Sequence, residues 1–407
     1  MSFLNLGLHP ALLKMLEEIN FSEPTPIQAK TIPLALKRKD VIGLAQTGTG
    51  KTAAFGLPIL HQLAEEPRAS ANSCKALILA PTRELAIQIF NHFKIYTSYL
   101  PVRVQCVYGG VKINPQMMKL RAGTEVLIAT PGRLLDLHQQ NALKFDGIQT
   151  LVLDEADRML DMGFINDIRR IIKQLPMNRQ TMLFSATMSS EIRKLSHQLM
   201  QTPDEIQTSP VNQSAQTVIH KLHPVDKAKK TALLCQLLHD KKCTHALIFT
   251  KTKHAANKLV KNLHLEGIES MAIHGDKTQG QRIKALESFK AGKIPFLIAT
   301  DIASRGIDIE GLDLVINYEL PQAAEDYIHR IGRTGRAGRK GHAISLVCAD
   351  EFPNLKAIET LLKKTITREE IDGFDPIHFL PNSNNPNALK RKPKTWAAHA
   401  KKTHFRK

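Results

Sequence analysis

Short apolar runs, each followed by a stretch with helical patterning, recur along almost the whole chain, and they limit what it can fold into. The first half holds residues 41–45 (VIGLA), 76–80 (ALILA), 104–108 (VQCVY), 126–130 (VLIAT), 151–154 (LVLD) and 181–185 (TMLFS). The second half repeats the scheme with 246–250 (ALIFT), 270–274 (SMAIH), 296–300 (FLIAT), 314–317 (LVIN) and 343–347 (AISLV). Strands that are apolar at every position, without alternation, are buried on both faces. That is the condition of a parallel sheet covered by helices. Two such series in 407 residues predict two tandem α/β domains with parallel sheets.

Between the series lies 202–215, TPDEIQTSPVNQSA, with two prolines, small polar residues and no periodicity. It reads as a flexible hinge. The expected division is a first domain at 1–205, a linker at 206–218, a second domain at 219–365 and a C-terminal extension at 366–407, disordered beyond Pro381.

The strongest local signal follows the first run. Ala45-Gln46-Thr47-Gly48-Thr49-Gly50-Lys51-Thr52 leads from a strand into AAFGLPIL, the strand–turn–helix context of a P-loop. Gly48 and Gly50 let the backbone approach phosphate oxygens, and N–H groups at the helix start point at the anion. Lys51 is the candidate for the β- and γ-phosphates, and the Thr52 hydroxyl for Mg²⁺. The run LVLD carries Asp154 to a strand's C-terminal end, where ligands bind in open α/β sheets. Asp154 is the second candidate Mg²⁺ ligand, and Glu155 the candidate to activate water. Far downstream, HRIGRTGR at 329–336 sets Arg333 and Arg336 three apart. Cleaving a nucleoside triphosphate needs both a phosphate cradle and charge-neutralising arginines, so their separation predicts one site assembled from two halves.

The net charge of +18 suits a polyanionic partner. Eight Lys or Arg and no acid lie in 381–407, which leaves +10 of the +18 on residues 1–380. No apolar run approaches the ~18 residues of a membrane span. The five cysteines are scattered without a CxxC pair. With no signal peptide in the first residues, they predict reduced thiols and a cytoplasmic protein. His220 and His223 sit three apart, but Cys235 and Cys243 downstream are too widely spaced for common zinc modules.

Asp154-Glu155-Ala156-Asp157 spells DEAD, and about ten motifs in order over residues 2–365 make the chain resemble the DEAD-box RNA helicases, most closely the bacterial RhlE-type branch. The resemblance implies two tandem RecA-like P-loop domains and ATP and Mg²⁺ as cofactors. It implies that PTPIQ (24–28) reads adenine through Gln28, with Phe21 stacked near the base and Phe3 behind it. Asn20 stands where the family usually has Gly, and Asn tolerates left-handed backbone. Thr82 and Arg83 of PTREL, Gly110, and Thr130 and Arg133 of TPGR correspond to RNA contacts on the first domain. Thr250, Gly275, Arg282 and Thr300 correspond to those on the second. Asp308 would meet the ribose, and Arg333 and Arg336 would act as arginine fingers. Ser185, Thr187, Asp157, His329 and Arg330 would couple the nucleotide to RNA. The implied activity is RNA-stimulated ATP hydrolysis that closes the domains, bends the strand and separates short duplexes. An ATP-gated RNA clamp serving as an assembly platform is the alternative. Few aromatics favour backbone readout with little sequence preference. A monomer is expected, with ribosomal precursors or RNA-decay proteins as candidate partners.

Overall fold

The computed structural model describes residues 2–45, 48–208, 218–239, 243–304, 309, 312–335 and 341–381. The chain divides into two units, Met1–Val211 and Asn212–Lys407, each with its own core. In the first, strands β1 (Val41–Leu44), β2 (Cys74–Leu79), β3 (Val104–Val107), β4 (Thr124–Ala129), β5 (Thr150–Leu153), β6 (Gln180–Ser185) and β7 (Asp204–Gln207) form one parallel sheet in the order β3-β4-β2-β5-β6-β1-β7. In the second, the strands are β8 (Val218–Pro224), β9 (Ala246–Thr250), β10 (Ser270–Ile273), β11 (Phe296–Thr300), β12 (Leu314–Asn317), β13 (Gly341–Val347) and β14 (Thr367–Arg368). Their order is β10-β11-β9-β12-β13-β8-β14. Counting each domain from its own first strand, the two orders are the same.

The unbroken apolar runs have a direct cause. Successive side chains of a strand point to opposite faces, and here both faces are covered. Val152 of β5 enters one core with Phe55 and Phe93, while Leu151 and Leu153 enter the opposite one with Leu134 and Ile168. In the second domain Ala246 and Ile248 of β9 face one core and Leu247 and Phe249 the other. At ~25 cal/mol per Å² of apolar surface, this two-sided burial is the main favourable term in each domain.

Three strands escape the apolar-run rule. Asp204–Gln207, inside the segment read as a hinge, is an edge strand paired in parallel with β1, Val41 opposite Asp204. The domain boundary expected at 205 therefore falls inside β7. Its polar sequence fits an edge, where only Ile206 is buried. Strand β8 runs beside β13 from Val218 to Pro224, so the linker expected to reach 218 ends before it. Its two buried histidines hide its nature: His220 bonds the Tyr327 hydroxyl at 3.0 Å and His223 the carbonyl of Glu369 at 2.8 Å. Strand β14 pairs with β8 beyond the end expected at 365, and Ile366 and Leu380 enter the second domain's core. The sheet therefore continues into the segment read as an extension. Of the expected linker, 209–217 lie outside the described residues, as does the tail beyond Pro381.

Glu125 on β4 is a buried charge with a full set of partners. Its carboxylate accepts the N–H of Ala69 at 2.9 Å, the N–H of Arg103 at 2.8 Å, and the Arg103 guanidinium from Nε at 3.1 Å and Nη2 at 2.8 Å. Burial pushes this carboxyl up, but Arg103 and the two backbone donors outweigh it and hold it at about 2, below its usual 4.5. A depressed carboxyl contributes stability above its unfolded value and loses it as pH falls through the folded one. Glu125→Gln is therefore expected to cost about 2 kcal/mol at pH 7. In urea melts at a series of pH values, the gap to the wild type should narrow below pH 4.5. A gap independent of pH would contradict the assignment.

Candidate nucleotide and RNA site

The candidate residues of the first domain gather at the C-terminal ends of its strands. The P-loop backbone is braced from outside. The helix Pro26–Leu36 begins with a capping box in which the Thr25 N–H donates to Gln28 Oε1 at 2.9 Å. The same two side chains reach across the chain. Thr25 Oγ1 donates to the carbonyl of Thr49 at 2.8 Å, and Gln28 Nε2 to the carbonyl of Gly50 at 3.1 Å. Gly50, at φ +87, caps the helix Lys51–Leu63, and a Cβ there would lie 2.3 Å from Gln28 Nε2. Gln28 is thus buried against the loop as well as placed beside it. Thr25 is missing from the sequence-predicted set, though T-x-x-Q before an apolar run is the signature of such a box. Phe21 is exposed, Phe3 is buried, and Asn20 adopts the left-handed backbone its type permits, φ 58. Gly48 has φ 80. Gln46 and Thr47 lie outside the described residues.

Lys51 is buried and donates to the carbonyl of Ala45 at 3.0 Å. Across the sheet edge, Asp154 is 2% exposed, and burial pushes its carboxyl up to about 6 while Lys51 pulls it down. Glu155 holds a left-handed backbone, φ 53, uncommon outside glycine and concentrated at functional sites. Its N–H donates to Asp154 Oδ1 at 2.9 Å, and its carboxylate is ion-paired with buried Arg158, three residues on. That i,i+3 spacing was legible, and Arg158 is a second residue the motif reading left out.

Asp157 joins two strand ends. Its Oδ2 accepts the N–H of Ala186 at 3.0 Å, the N–H of Thr187 at 3.0 Å and the Thr187 hydroxyl at 3.2 Å. Ser185, fully buried at the end of β6, donates to the carbonyl of Thr187 at 2.7 Å. The last carboxylate of the DEAD run and the SAT turn are therefore one hydrogen-bonded unit.

On the same edge, buried Thr82 caps the helix Arg83–Tyr96, accepting the N–H of Leu85 at 3.2 Å. The Arg83 guanidinium lies against Gly110 so closely that a Cβ at Gly110 would sit 2.1 Å from Nη1. Thr130 precedes the helix Pro131–Gln139. From that helix Arg133, 9% exposed, donates to the carbonyl of Val111 at 2.9 Å. Its Nε lies 3.7 Å from Asp136 Oδ2 in an i,i+3 ion pair.

In the second domain, Thr250 and Thr300 end β9 and β11 and are buried. Gly275 follows β10 with open space where a Cβ would stand. Arg282 lies in the helix Gln279–Lys290. His329 and Arg330 occupy the last turn of the helix Ala324–Ile331, and Arg333 follows it, 4% exposed. Arg330 is buried, bonded to Asp301, Asn317 and the carbonyl of Glu319. Asp308 and Arg336 lie outside the described residues. Among the described residues, no helix is long and apolar enough to cross a membrane.

Known proteins share this arrangement. Residues 25–195 match the DEAD/DEAH box helicase family and 229–338 the helicase conserved C-terminal domain. The ATP-dependent RNA helicase CshA of Listeria monocytogenes is 45% identical over 373 residues, spanning 92% of this chain and 71% of that one. The DEAD-box ATP-dependent RNA helicase CshA of Geobacillus kaustophilus is 42% identical over 374 residues, spanning 92% and 79%. Among solved structures, S. cerevisiae Dbp5 bound to RNA and ADP BeF3 superposes with a TM-score of 0.79 at 33% identity, covering 91% of this chain and 96% of that one. These curated relatives carry the CshA name, a branch distinct from the RhlE type. The sequence expectation holds for the family, and these relatives do not confirm the branch.

Gly50→Ala tests the braced loop. The new methyl group meets Gln28 and must adopt a left-handed backbone, so nucleotide affinity should fall by about tenfold or more, a loss of ~1.4 kcal/mol. Titration with a fluorescent ATP analogue reads this directly, and wild-type affinity would contradict the bracing.

Proposed function

The chain belongs to the DEAD-box ATP-dependent RNA helicases, and from that premise we propose how its residues divide the work. ATP sits on the P-loop from Ala45 to Thr52, its phosphates on backbone N–H groups and Lys51, its adenine on Gln28 beside Phe21. Asp154 and the Thr52 hydroxyl suit Mg²⁺. Both are hard oxygen donors, and a buried carboxyl pushed up to about 6 lacks a sufficient counter-charge. Bound there, Mg²⁺ neutralises charge on the phosphates. Glu155 orients the attacking water and takes its proton once released from Arg158.

RNA lies along the strand ends. Thr82, Arg83, Gly110, Thr130 and Arg133 hold its backbone on the first domain, and Thr250, Gly275, Arg282 and Thr300 on the second. Such donors fix position without reading sequence. With ATP and RNA both bound the domains close, Asp308 meets the ribose, and Arg333 and Arg336 reach the γ-phosphate. Asp157, Ser185 and Thr187, with His329 and Arg330, couple the nucleotide to RNA. The clamped strand bends, a duplex partner cannot follow, and short duplexes separate. Phosphate release reopens the clamp. The basic tail adds affinity for RNA in the cytoplasm, where a monomer serves ribosomal precursors or RNA decay.

The observation that carries this reading is the Asp157 carboxylate shared by Ala186 and Thr187. It gives the nucleotide end of β5 a rigid connection to the turn after β6, so a change at one is felt at the other. Glu155→Gln should still bind ATP and RNA, trap the RNA-bound state and lose about 10²-fold or more in turnover. Single-turnover hydrolysis beside RNA filter binding would show this. Wild-type turnover would remove Glu155 from its role.

A further inference from the structure

Gln116 is a buried amide beside the proposed RNA contacts of the first domain. It lies on the helix Asn114–Leu120, just after the Gly109-Gly110 turn. Strand β3 is the edge of its sheet, and its ladder ends where the Thr130 N–H donates to the carbonyl of Val107 at 3.1 Å. Gln116 takes over at the next residue. Its Oε1 accepts the Tyr108 N–H at 3.1 Å, and its Nε2 donates to the Tyr108 carbonyl at 3.1 Å. One side chain thus makes the two bonds that a paired residue exchanges with a neighbouring strand.

The consequence falls on the glycines. A trans peptide is planar, with its C=O and N–H on opposite sides. Holding the Tyr108 carbonyl therefore fixes the direction of the Gly109 N–H. Gly110 follows at φ +77, with the Arg83 guanidinium packed where its Cβ would stand. Arg133 Nη2 donates to the carbonyl of Val111 at 2.9 Å. Residues 108, 110 and 111 are thus each held by a side chain from a different helix. Arg83 and Arg133 are themselves proposed RNA contacts, whereas Gln116 is neutral, 8% exposed and bonded only to the loop's own backbone. Glycine loses more conformational freedom on ordering than any other residue, so a glycine pair left unheld would oppose binding by the entropy it must give up.

We infer that Gln116 is a positioning residue for RNA. It holds the glycine pair in one conformation before RNA arrives, so that the loop and the Arg83 packed on Gly110 meet a phosphate already ordered. The inference rests on the proposed roles of Arg83 and Gly110, and adds the group that keeps them in place.

The test uses the intact chain carrying Gln116→Met, an apolar side chain of similar size, and as a second variant Gln116→Glu, which at pH 8 turns a carboxylate towards the Tyr108 carbonyl. Arg83→Gln and the double variant with Gln116→Met complete a cycle. Binding of a labelled single-stranded RNA is measured together with ATP turnover as the RNA concentration is varied. Each Gln116 variant should weaken RNA binding about tenfold and raise KM for RNA to match, with kcat at saturating RNA and KM for ATP unchanged. The double variant should bind RNA better than the two single losses predict together, because both side chains act through one loop. A lower melting temperature with wild-type RNA affinity would mean that Gln116 only packs, and would overturn the inference. Strictly additive losses, or a change in KM for ATP as large as that for RNA, would overturn it too. Wild-type RNA affinity in Arg83→Gln would instead remove the reading on which it rests.

Discussion

A parallel sheet covered by helices on both faces has only its strand ends to offer a ligand. Both domains are built this way, and many candidate residues of this protein stand at a C-terminal strand end or in the turn just after it. Ala45, Thr82, Gly110, Thr130, Asp154 and Ser185 line one such edge. Thr250, Gly275, Thr300 and Asn317 line the other. Two-sided burial thus creates the stability of each domain and restricts its chemistry to one rim.

On that rim the charged groups are buried and braced by their neighbours. Asp154 and Glu155 are nearly inaccessible, Asp157 binds the turn after β6, and Arg330 is enclosed by three strand ends. Buried charges gain little net stability, since desolvation offsets most of their mutual attraction. They do fix geometry, because each hydrogen bond has a direction. The left-handed backbone of Glu155 belongs with them: a strained conformation persists only where its surroundings hold it. In the first domain this rigidity surrounds Asp154 to Asp157, and in the second the turn that carries Arg333.

How much of this was legible in the sequence depends on where each signal resides. The inner strands announced themselves because burial on both faces demands apolar residues at every position. The P-loop and the DEAD run were legible because phosphate and metal chemistry admit few residue types at fixed spacing. Strand β7 was hidden because an edge strand tolerates Asp204, Glu205 and Gln207. Strand β8 was hidden because the partners that satisfy His220 and His223 are 107 and 146 residues away. The partners of Arg330 were hidden for the same reason, because Asp301 and Asn317 are brought to it by topology, which no local pattern contains.

The account depends on catalytic competence arising only when groups from both domains serve one triphosphate. The most direct test compares ATP turnover by the first domain alone with turnover by the whole chain at saturating RNA. The isolated domain should bind ATP, ignore added RNA and hydrolyse about 10³-fold or more slowly, the scale of a missing arginine finger. Equal rates, unmoved by RNA, would contradict it.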